Sequence, residues 1–307
     1  MKQPPRPAPS RSGPLRDQDA DAPAARRCSS LGLAGAELGE AEFRRFSELI
    51  ESELGIKMPP SKKTLLQSRF QRRLRALNLG DYRQYCDYVF SPEGLESERP
   101  HLYDAVTTNT THFFREPHHF EILTGRVLPE LSARLGRQTL KVWSAGCSSG
   151  QEPYTLAMVL EEYAKAHAGF DYAILATDIS TKILEHALRG VYTMDAAKDV
   201  PRALMTRYML KSKDPAKGLV RMAPEVRRHI RFRRLNFMEE FRLNSPRHVI
   251  FCRNVVIYFD RPTQQRLFTK FCDHLIPGGY LFIGHSESLS GMDLPLVQVV
   301  PTVFRRR

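Results

Sequence analysis

After residue 140 the sequence alternates short apolar runs with amphipathic stretches of helix length, and this alternation limits the fold more than any other feature. Strand and helix signals that alternate along a chain predict β-α-β units, and hence a parallel sheet with helices on both faces. The predicted strands cover residues 140–144, 173–177, 230–235, 248–252 and 280–284. The predicted helices between them cover residues 152–167, 181–189 and 262–275. We therefore expect a Rossmann-like, doubly wound α/β fold.

One stretch, about 207–222, does not fit the alternation. Lys211, Pro215 and Gly218 interrupt any helix there and are typical of a turn between two short strands. We predict that a small β-hairpin subdomain is inserted at this point.

Residues 37–105 show helical periodicity instead. Apolar side chains recur at steps of three and four residues in the first segment, at Phe43, Phe46, Ile50 and Leu54. Ser61 is a candidate N-cap for a second helix, and the spacing of Tyr82, Tyr85 and Val89 indicates a third. The pattern predicts a small N-terminal all-helical domain.

The first 36 residues have the composition of a disordered tail. They contain six prolines, and the first aromatic residue of the chain is Phe43. Such a segment cannot bury enough apolar surface to order itself, so we predict a disordered basic tail over 1–36. The chain has no apolar run of signal-peptide or membrane-span length, so we expect a protein that is neither secreted nor inserted in a membrane.

The charge balance points to an acidic partner. The 46 Lys and Arg residues exceed the 34 Asp and Glu residues, giving a net charge of +12. Charge alone leaves nucleic acid, an anionic membrane and an acidic protein open. The five cysteines form no C-x-x-C pair and no cluster suited to zinc or an iron–sulfur centre. We expect no metal centre, reduced thiols and a cytoplasmic location.

A turn of small residues, 145–150, follows the first predicted strand and precedes Glu152. Small residues let a nucleotide approach the backbone between a strand and a helix, but the same turn can be purely structural. Asp178 ends the second predicted strand, where it can bind a ribose or cap the helix that begins near Ser180. Together the turn and Asp178 indicate an adenosyl ligand without a strong phosphate cradle, because the turn spacing is not G-x-G-x-x-G.

Two further segments carry polar side chains beside the predicted sheet edge. Residues 107–116 combine threonines with Arg115, which indicates a ligand-binding lip, although Arg115 can instead pair with Glu116 or another acid at the surface. Arg253 and Asn254 follow the fourth predicted strand, at the edge where doubly wound sheets bind ligands. Tyr258 can belong to the same site or to the core.

Five segments, T-T-N-T-T-H-F-F-R-E, A-G-C-S-S-G-Q-E-P-Y, A-T-D-I-S, R-N-V-V-I-Y-F and G-H-S-E-S, closely resemble in this order the chemotaxis receptor methyltransferases of the CheR family. The resemblance covers roughly residues 37–304. It implies a helical substrate-docking domain over 37–105 and a methyltransferase domain over 106–307 with the β-subdomain inserted in it. It also implies protein-glutamate O-methyltransferase activity, in which S-adenosyl-L-methionine converts receptor glutamates into γ-methyl esters and S-adenosyl-L-homocysteine is released.

The resemblance also assigns residues to the site. Those implied to bind the cofactor are Asn109, Thr111, Arg115, Glu152, Asp178, Asn236, Phe237, Arg253 and Asn254. Glu152 is implied to hold the methionine end and Asp178 the ribose. Asn236 and Phe237 match the adenine side, and Arg115 and Tyr258 are the implied catalytic residues.

The implied partners are the cytoplasmic helices of chemotaxis receptors. Their glutamates can dock on the second predicted helix, whose basic residues are Lys62, Lys63, Arg69, Arg72, Arg73 and Arg75. The same face can simply be solvated. Interleaved aromatic residues suited to base stacking are lacking there, which argues against nucleic acid. Family members that tether a receptor C-terminal peptide have a glycine-rich hairpin tip, whereas residues 212–217 contain no glycine, which argues against tethering here.

The residues leave two other functions open. The positive charge also suits a methyltransferase for nucleic acid or a small metabolite, but the N/D-P-P-Y/F sequence of amino-methylating nucleobase enzymes is absent. A third possibility is a non-catalytic module that binds S-adenosylmethionine and reports its level to a partner. Arg115, Asn254 and Tyr258 argue against this module.

Overall fold

The computed structural model describes residues 37–307, so the tail predicted over 1–36 lies outside the described residues. Five helices come first: α1 (Glu40–Leu54), α2 (Lys63–Leu77), α3 (Tyr82–Val89), α4 (Pro92–Ser97) and α5 (Arg99–Val106). Their apolar faces meet in one core, in which the Phe46 ring lies 4.6 Å from Phe70 and 5.6 Å from Tyr85. The predicted all-helical N-terminal unit is confirmed.

Local sequence sets the boundary between α1 and α2. Gly55 ends α1 with a φ of 70°, the left-handed conformation that favours glycine. The prediction that Ser61 caps the second helix is wrong, because a 3₁₀ turn, Pro60–Lys62, precedes α2 and no side chain caps it. The Pro59 carbonyl accepts the Lys62 N–H at 2.8 Å, so the turn itself supplies an acceptor that a hydroxyl would otherwise provide.

The remaining residues form an α/β unit. In chain order its elements are α6 (His118–Ile122), a π-helical turn (Leu123–Val127), α7 (Leu128–Leu135), β1 (Leu140–Ala145), α8 (Gln151–Ala166), β2 (Tyr172–Asp178), α9 (Thr181–Arg189), β3 (Val191–Thr193), α10 (Arg202–Tyr208), β4 (Met209–Lys211), β5 (Leu219–Met222), α11 (Pro224–Arg227), β6 (Ile230–Arg234), β7 (Arg247–Cys252), α12 (Arg261–His274), β8 (Leu275–Ile283), β9 (Leu296–Val300) and β10 (Val303–Arg306). Within residues 37–307, no helix combines the length and the apolar character needed to cross a membrane.

The main sheet has seven strands in the order β6-β2-β1-β7-β8-β10-β9. The first five are parallel, and β10 and β9 extend the sheet antiparallel. Val142 of β1 lies opposite Ile174 on one side and Val249 on the other. The chain order reverses at β1, so the loops that follow β1 and β7 separate and leave a crevice at the carboxyl ends of the strands. The predicted Rossmann-like, doubly wound fold is confirmed, and all five predicted strands are present.

Two parts of the β structure go beyond the sequence pattern. β4 and β5 form the expected hairpin, but β3 also pairs antiparallel with β5, so the inserted subdomain is a three-stranded sheet. The β9–β10 hairpin that completes the main sheet was not predicted. β3 is only three residues long and β9 is an edge strand without a fully buried residue, so neither has a clear apolar alternation.

The helical unit packs over the carboxyl edge of the main sheet. Nδ2 of Asn236, after β6, donates to the Glu53 carbonyl of α1 at 2.9 Å. The Lys57 N–H donates to the Tyr258 carbonyl at the same distance. These bonds fix the connection between α1 and α2 above the crevice and convert the crevice into a covered cleft.

Candidate active site

The carboxyl ends of β1, β2, β6 and β7 open into one cleft beneath the helical unit. It encloses about 1010 Å³, counting its open mouth, which is ample for a small-molecule ligand. The ten residues predicted for the site all line it: Asn109, Thr111, Arg115, Glu152, Asp178, Asn236, Phe237, Arg253, Asn254 and Tyr258. Leu54 and Ile56 of the helical unit line the same cleft, so both parts of the chain form its walls.

The small-residue turn between β1 and α8 lets the backbone approach the cleft. Gly146 has a φ of 82°, and a methyl group there would overlap Cγ2 of Val255, so no side chain fits. Ser148 also has a positive φ, of 49°. Its Oγ donates to the Asn109 carbonyl at 2.9 Å, which joins the turn to the polar segment before α6.

Asp178 is buried at the end of β2, and each of its carboxylate oxygens accepts one backbone bond. Oδ2 accepts the Ser148 N–H at 2.8 Å, and Oδ1 accepts the Ser180 N–H at 3.0 Å. Burial raises the pKa of Asp178, although the backbone N–H groups favour the carboxylate. The hydroxyl of Ser180 caps α9 by accepting from Ile183, so Asp178 is not the N-cap of that helix. Each oxygen keeps a lone pair for a ligand in the cleft.

Glu152 and Arg253 form a buried charge pair beneath the cleft. Oε2 of Glu152 lies 3.3 Å from Nη1 of Arg253, and Oε1 accepts the Ser144 hydroxyl at 2.7 Å. Burial raises the pKa of Glu152, while Arg253 opposes the shift. The Arg253 side chain is only 2% exposed and also contacts Glu116, 3.3 Å away, and the Arg115 carbonyl. Arg253 therefore holds the protein's own acids in position rather than presenting a free guanidinium.

Glu116 is a site residue that the sequence pattern did not reveal as such. The sequence offers it only as a surface partner of Arg115, yet its side chain is only 11% exposed and contacts Arg253, whose guanidinium also lies 5.7 Å from the centre of the Phe120 ring. Burial alone would raise the pKa of Glu116, but the Arg253 charge, the His285 backbone N–H and the two neighbouring histidines together lower it. The 137-residue separation between the two explains why no local pattern revealed the pair.

Glu287 is a second missed residue, and it fixes the loop that carries Asn254. Its carboxylate accepts the N–H groups of Gly284 at 2.6 Å, Val255 at 2.9 Å and Val256 at 3.0 Å. Asn254 has a φ of 60°, and a Cβ on Gly284 would lie 2.7 Å from its Nδ2. Glu287 therefore holds Asn254 in a left-handed conformation against the cleft. The G-H-S-E-S segment was the available sequence signal, but it gave Glu287 no role.

Arg115 lies in a strained part of the polar segment. Phe114 and Glu116 on either side of it both have positive φ, 53° and 54°, which is uncommon for residues other than glycine. Nη1 of Arg115 donates to the Thr110 carbonyl at 3.2 Å. The alternative in which Arg115 pairs with Glu116 is not observed, because Arg253 occupies that acid.

The far end of the cleft combines a polar and an aromatic group. Oδ1 of Asn236 accepts the Met238 N–H at 3.0 Å, while its Nδ2 binds the helical unit. Phe237 packs at an angle against Trp143, with 6.4 Å between ring centres. Tyr258 is half-buried and lines the cleft, with Nζ of Lys62 lying 5.8 Å from its ring.

A doubly wound sheet with a cleft at its carboxyl edge, and with an acid at the end of its second strand, is typical of the class of α/β proteins that bind an adenosyl ligand. The comparisons with known proteins identify the family. Residues 109–303 match the CheR methyltransferase, SAM binding domain, and residues 41–107 match the CheR methyltransferase, all-alpha domain. The chain belongs to the CheR family, and its cofactor is S-adenosylmethionine.

Curated relatives agree with this assignment over most of the chain. The chain is 41% identical over 245 residues to a probable chemotaxis protein methyltransferase of Rhizobium etli, which covers 79% of this chain and 91% of the relative. It is 34% identical over 270 residues to a chemotaxis protein methyltransferase of Borreliella burgdorferi, an alignment that covers 86% of this chain and 94% of the relative. It is 37% identical over 257 residues to the chemotaxis protein methyltransferase of Escherichia coli, an alignment that covers 83% of this chain and 87% of the relative. The prediction of a chemotaxis methyltransferase is confirmed.

Proposed function

We propose that this protein transfers the methyl group of S-adenosylmethionine to glutamate side chains in the cytoplasmic helices of methyl-accepting chemotaxis receptors. The products are γ-glutamyl methyl esters and S-adenosylhomocysteine. The observation that carries this proposal is the cleft itself, in which two buried acids, Glu152 and Asp178, lie on one side and Arg115 and Tyr258 line the same space. Action on receptor helices also requires a cytoplasmic location.

The cleft residues fit S-adenosylmethionine. The free lone pairs of Asp178 suit the two ribose hydroxyls, and Glu152 suits the ammonium of the methionine part. Apolar side chains such as Ile179 and Phe237 offer surfaces for the adenine, with Asn236 beside them. Asn109 and Thr111 are assigned to the methionine side. In this scheme Arg253 acts through Glu152, which it holds in the ionised form.

The chemistry requires alignment more than acid–base catalysis. Bound S-adenosylmethionine supplies an electrophilic methyl group on a sulfonium centre. The acceptor carboxylate is already ionised at neutral pH, so the protein need not remove a proton from it. The new O–CH₃ bond forms as the C–S bond breaks, and the negative and positive charges cancel. Fixed geometry in a cleft of this kind contributes about 7–11 kcal/mol in favourable cases.

Arg115 and Tyr258 are proposed to orient the acceptor glutamate. Because the carboxylate loses its charge during the reaction, an arginine that bound it too strongly would stabilise the ground state more than the transition state. We therefore assign Arg115 to positioning. The cover formed by the helical unit serves to exclude water from the reacting carboxylate.

Receptor docking is proposed on α2 and the turn before it. Two of the six basic residues serve the protein's own fold: Arg73 binds the buried Glu98 through two bonds of 2.7 Å, and Arg69 donates to the Thr108 hydroxyl at 2.9 Å. Lys63 pairs with Glu40. Lys62 donates to the Lys57 carbonyl at 2.8 Å. The docking face therefore narrows to the exposed Arg72 and Arg75, and Arg69 connects that face to the polar segment of the cleft.

Peptide tethering by the β-subdomain is not proposed. The tip between β4 and β5 carries a 3₁₀ turn, Pro215–Lys217, which Asp214 caps by accepting the Ala216 N–H at 3.1 Å. This capped turn replaces the glycine-rich tip of the members that tether a receptor peptide.

The test uses methyl-labelled S-adenosylmethionine and receptor-bearing membranes. We expect label to enter the receptor and to be released as methanol by mild base, because a carboxylate ester hydrolyses readily. Label that stays on protein in base would indicate N-methylation and would overturn the glutamate assignment. Membranes whose receptors have the candidate glutamates replaced by alanine are the matched control, and they should accept no label.

A further inference from the structure

Three potential metal ligands converge beside the cleft. Glu116, His119 and His285 each offer one ligand atom, and the three atoms lie within 4.8 Å of one another. Oε2 of Glu116 is the common point, 3.4 Å from Nδ1 of His119 and 3.9 Å from Nε2 of His285. Two ligands bound tetrahedrally to zinc at about 2.1 Å are about 3.4 Å apart, so the first pair already has that separation.

The hydrogen bonds of His119 leave its Nδ1 free to bind a metal. The Thr302 hydroxyl donates its proton to the Pro301 carbonyl at 2.6 Å. The same Oγ1 lies 2.7 Å from Nε2 of His119, so Nε2 must be the donor in that contact. In the neutral ring, Nδ1 is then unprotonated.

This arrangement leaves two acceptors facing each other in a buried place. His119 is 0% exposed, and its Nδ1 has no hydrogen-bond partner among the described residues. The atom opposite it is a carboxylate oxygen of Glu116, so a nitrogen lone pair and an anionic oxygen meet without a proton between them. A cation relieves such a contact, and imidazole with carboxylate is a ligand set that zinc accepts. The Thr302 contact would then orient His119 as outer-shell partners orient metal-bound histidines.

His285 can complete the set from the solvent side. Its side chain is 58% exposed, so its ring is free to move toward the other two ligands. Its backbone N–H lies 3.4 Å from Oε1 of Glu116, which keeps the residue beside the acid. The fourth zinc position would face solvent. The sequence predicted no metal centre because Glu116 and His285 are 169 residues apart.

We propose that Glu116, His119 and His285 form a zinc site whose occupation weakens the binding of S-adenosylmethionine. Arg253 supplies the connection, because its guanidinium contacts the same Oε2 of Glu116 that the metal would take. Zinc binding breaks that contact and leaves Glu152 as the one acidic partner of Arg253 within residues 37–307. Glu152 is then drawn toward Arg253 and away from the cofactor. The competition with Arg253 also limits zinc affinity, which suits a reversible inhibitory ion.

Zinc binding is tested on the full chain by calorimetric titration with zinc chloride, in a Cys28→Ser background that removes one thiol outside the described residues. His285→Ala removes an exposed ligand. The matched control is His118→Ala, because His118 is 66% exposed on the same part of the chain but contacts Glu121 instead. We expect one zinc ion per chain in the parent and in the control, and at least about tenfold weaker binding in His285→Ala. Absence of zinc binding by the parent, or equal affinity in all three proteins, overturns the site.

The regulatory effect has a separate measurement. Affinity for S-adenosylmethionine is measured with and without saturating zinc, and each variant is compared with its own zinc-free value. We expect zinc to weaken cofactor binding at least about fivefold in the parent and in His118→Ala, but not in His285→Ala. Zinc that binds without changing cofactor affinity would disprove the inhibitory connection. Neither outcome bears on the receptor substrate, since no acceptor is present in the assay.

Discussion

The backbone N–H of Ser148 donates to Oδ2 of Asp178 at 2.8 Å. This bond joins the turn after β1 to the last residue of β2, the two features from which an adenosyl site was inferred. The neighbouring strands β1 and β2 thus bring two groups to one point of the cleft: the backbone of the small-residue turn and the carboxylate predicted to bind the ribose. Among the residues that the structure describes, only backbone N–H groups donate to Asp178, so its capacity for a ligand is retained.

Asp178→Ala should weaken S-adenosylmethionine binding by at least about tenfold, because hydrogen bonds to a charged acceptor contribute about 1.5–3 kcal/mol each. Calorimetric titration measures the affinity. Asp171→Ala is the control, since Asp171 is an exposed acid immediately before β2, at the opposite edge of the sheet. Unchanged affinity in Asp178→Ala would remove this residue from the cofactor site.

Acidification should also weaken cofactor binding. The pKa of Asp178 is raised by burial, so its carboxylate begins to take up a proton above the ordinary aspartate range near pH 4. The ionised form is the one that accepts both ribose hydroxyls, so affinity is fully present above this raised pKa and is lost as pH falls through it. Titrations carried downward from neutral pH should show the decline, and Asp178→Asn should show a shallower one. An identical pH profile in the variant would contradict this assignment.

Glu287→Gln should lower cofactor affinity although Glu287 is not among the residues that line the cleft. Three backbone N–H groups converge on its two oxygens, and a glutamine amide would place a donor against one of them. The loop carrying Asn254 should loosen, with an expected loss of about fivefold or more in affinity and about 1–3 kcal/mol in the free energy of unfolding. Glu225→Gln, on the exposed surface of α11, is the matched control and should change neither quantity. If Glu287→Gln were destabilised but bound the cofactor with normal affinity, the hydrogen bonds to Glu287 would serve stability alone.

Arg72→Glu should reduce methylation of receptor membranes without affecting cofactor binding. Arg72 is exposed on α2 and forms no ion pair among the described residues, so its charge is available to an acidic receptor helix. Arg137→Glu makes the same charge change just before β1, at the amino edge of the sheet and away from the cleft. We expect a rise in KM for receptor of about threefold or more in Arg72→Glu at low salt, an effect that added salt diminishes. Equal behaviour of both variants would leave net charge, rather than a docking face, as the cause.

The sequence allowed prediction of the parts that depend on local pattern. The five parallel strands follow from short apolar runs, and the ten predicted residues come together because each follows a strand end or lies in the polar segment before the sheet. β3 and β9 were not predicted, because short or exposed edge strands show little alternation of apolar and polar residues.

The contacts that hold the site residues in place could not be predicted from local sequence pattern. Arg253 is predicted to bind the cofactor, and the sequence pattern did not reveal that two acids of the protein also bind its guanidinium, one of them 137 residues away. Glu287 contacts residues 31 and 32 positions earlier in the chain, across the ends of β7 and β8. Pairings of this kind depend on which strands become neighbours in the sheet, and residue spacing alone does not encode them.

The hydrogen bond from Lys57 to Tyr258, with the contribution of Leu54 and Ile56 to the cleft wall, means that the α/β unit does not form the whole cleft by itself. A fragment that begins at residue 106 would lack the helical unit that covers the cleft. Chimaeras that exchange receptor preference between relatives should therefore keep the 54–58 connector with the transferase half and graft only the exposed residues of α2.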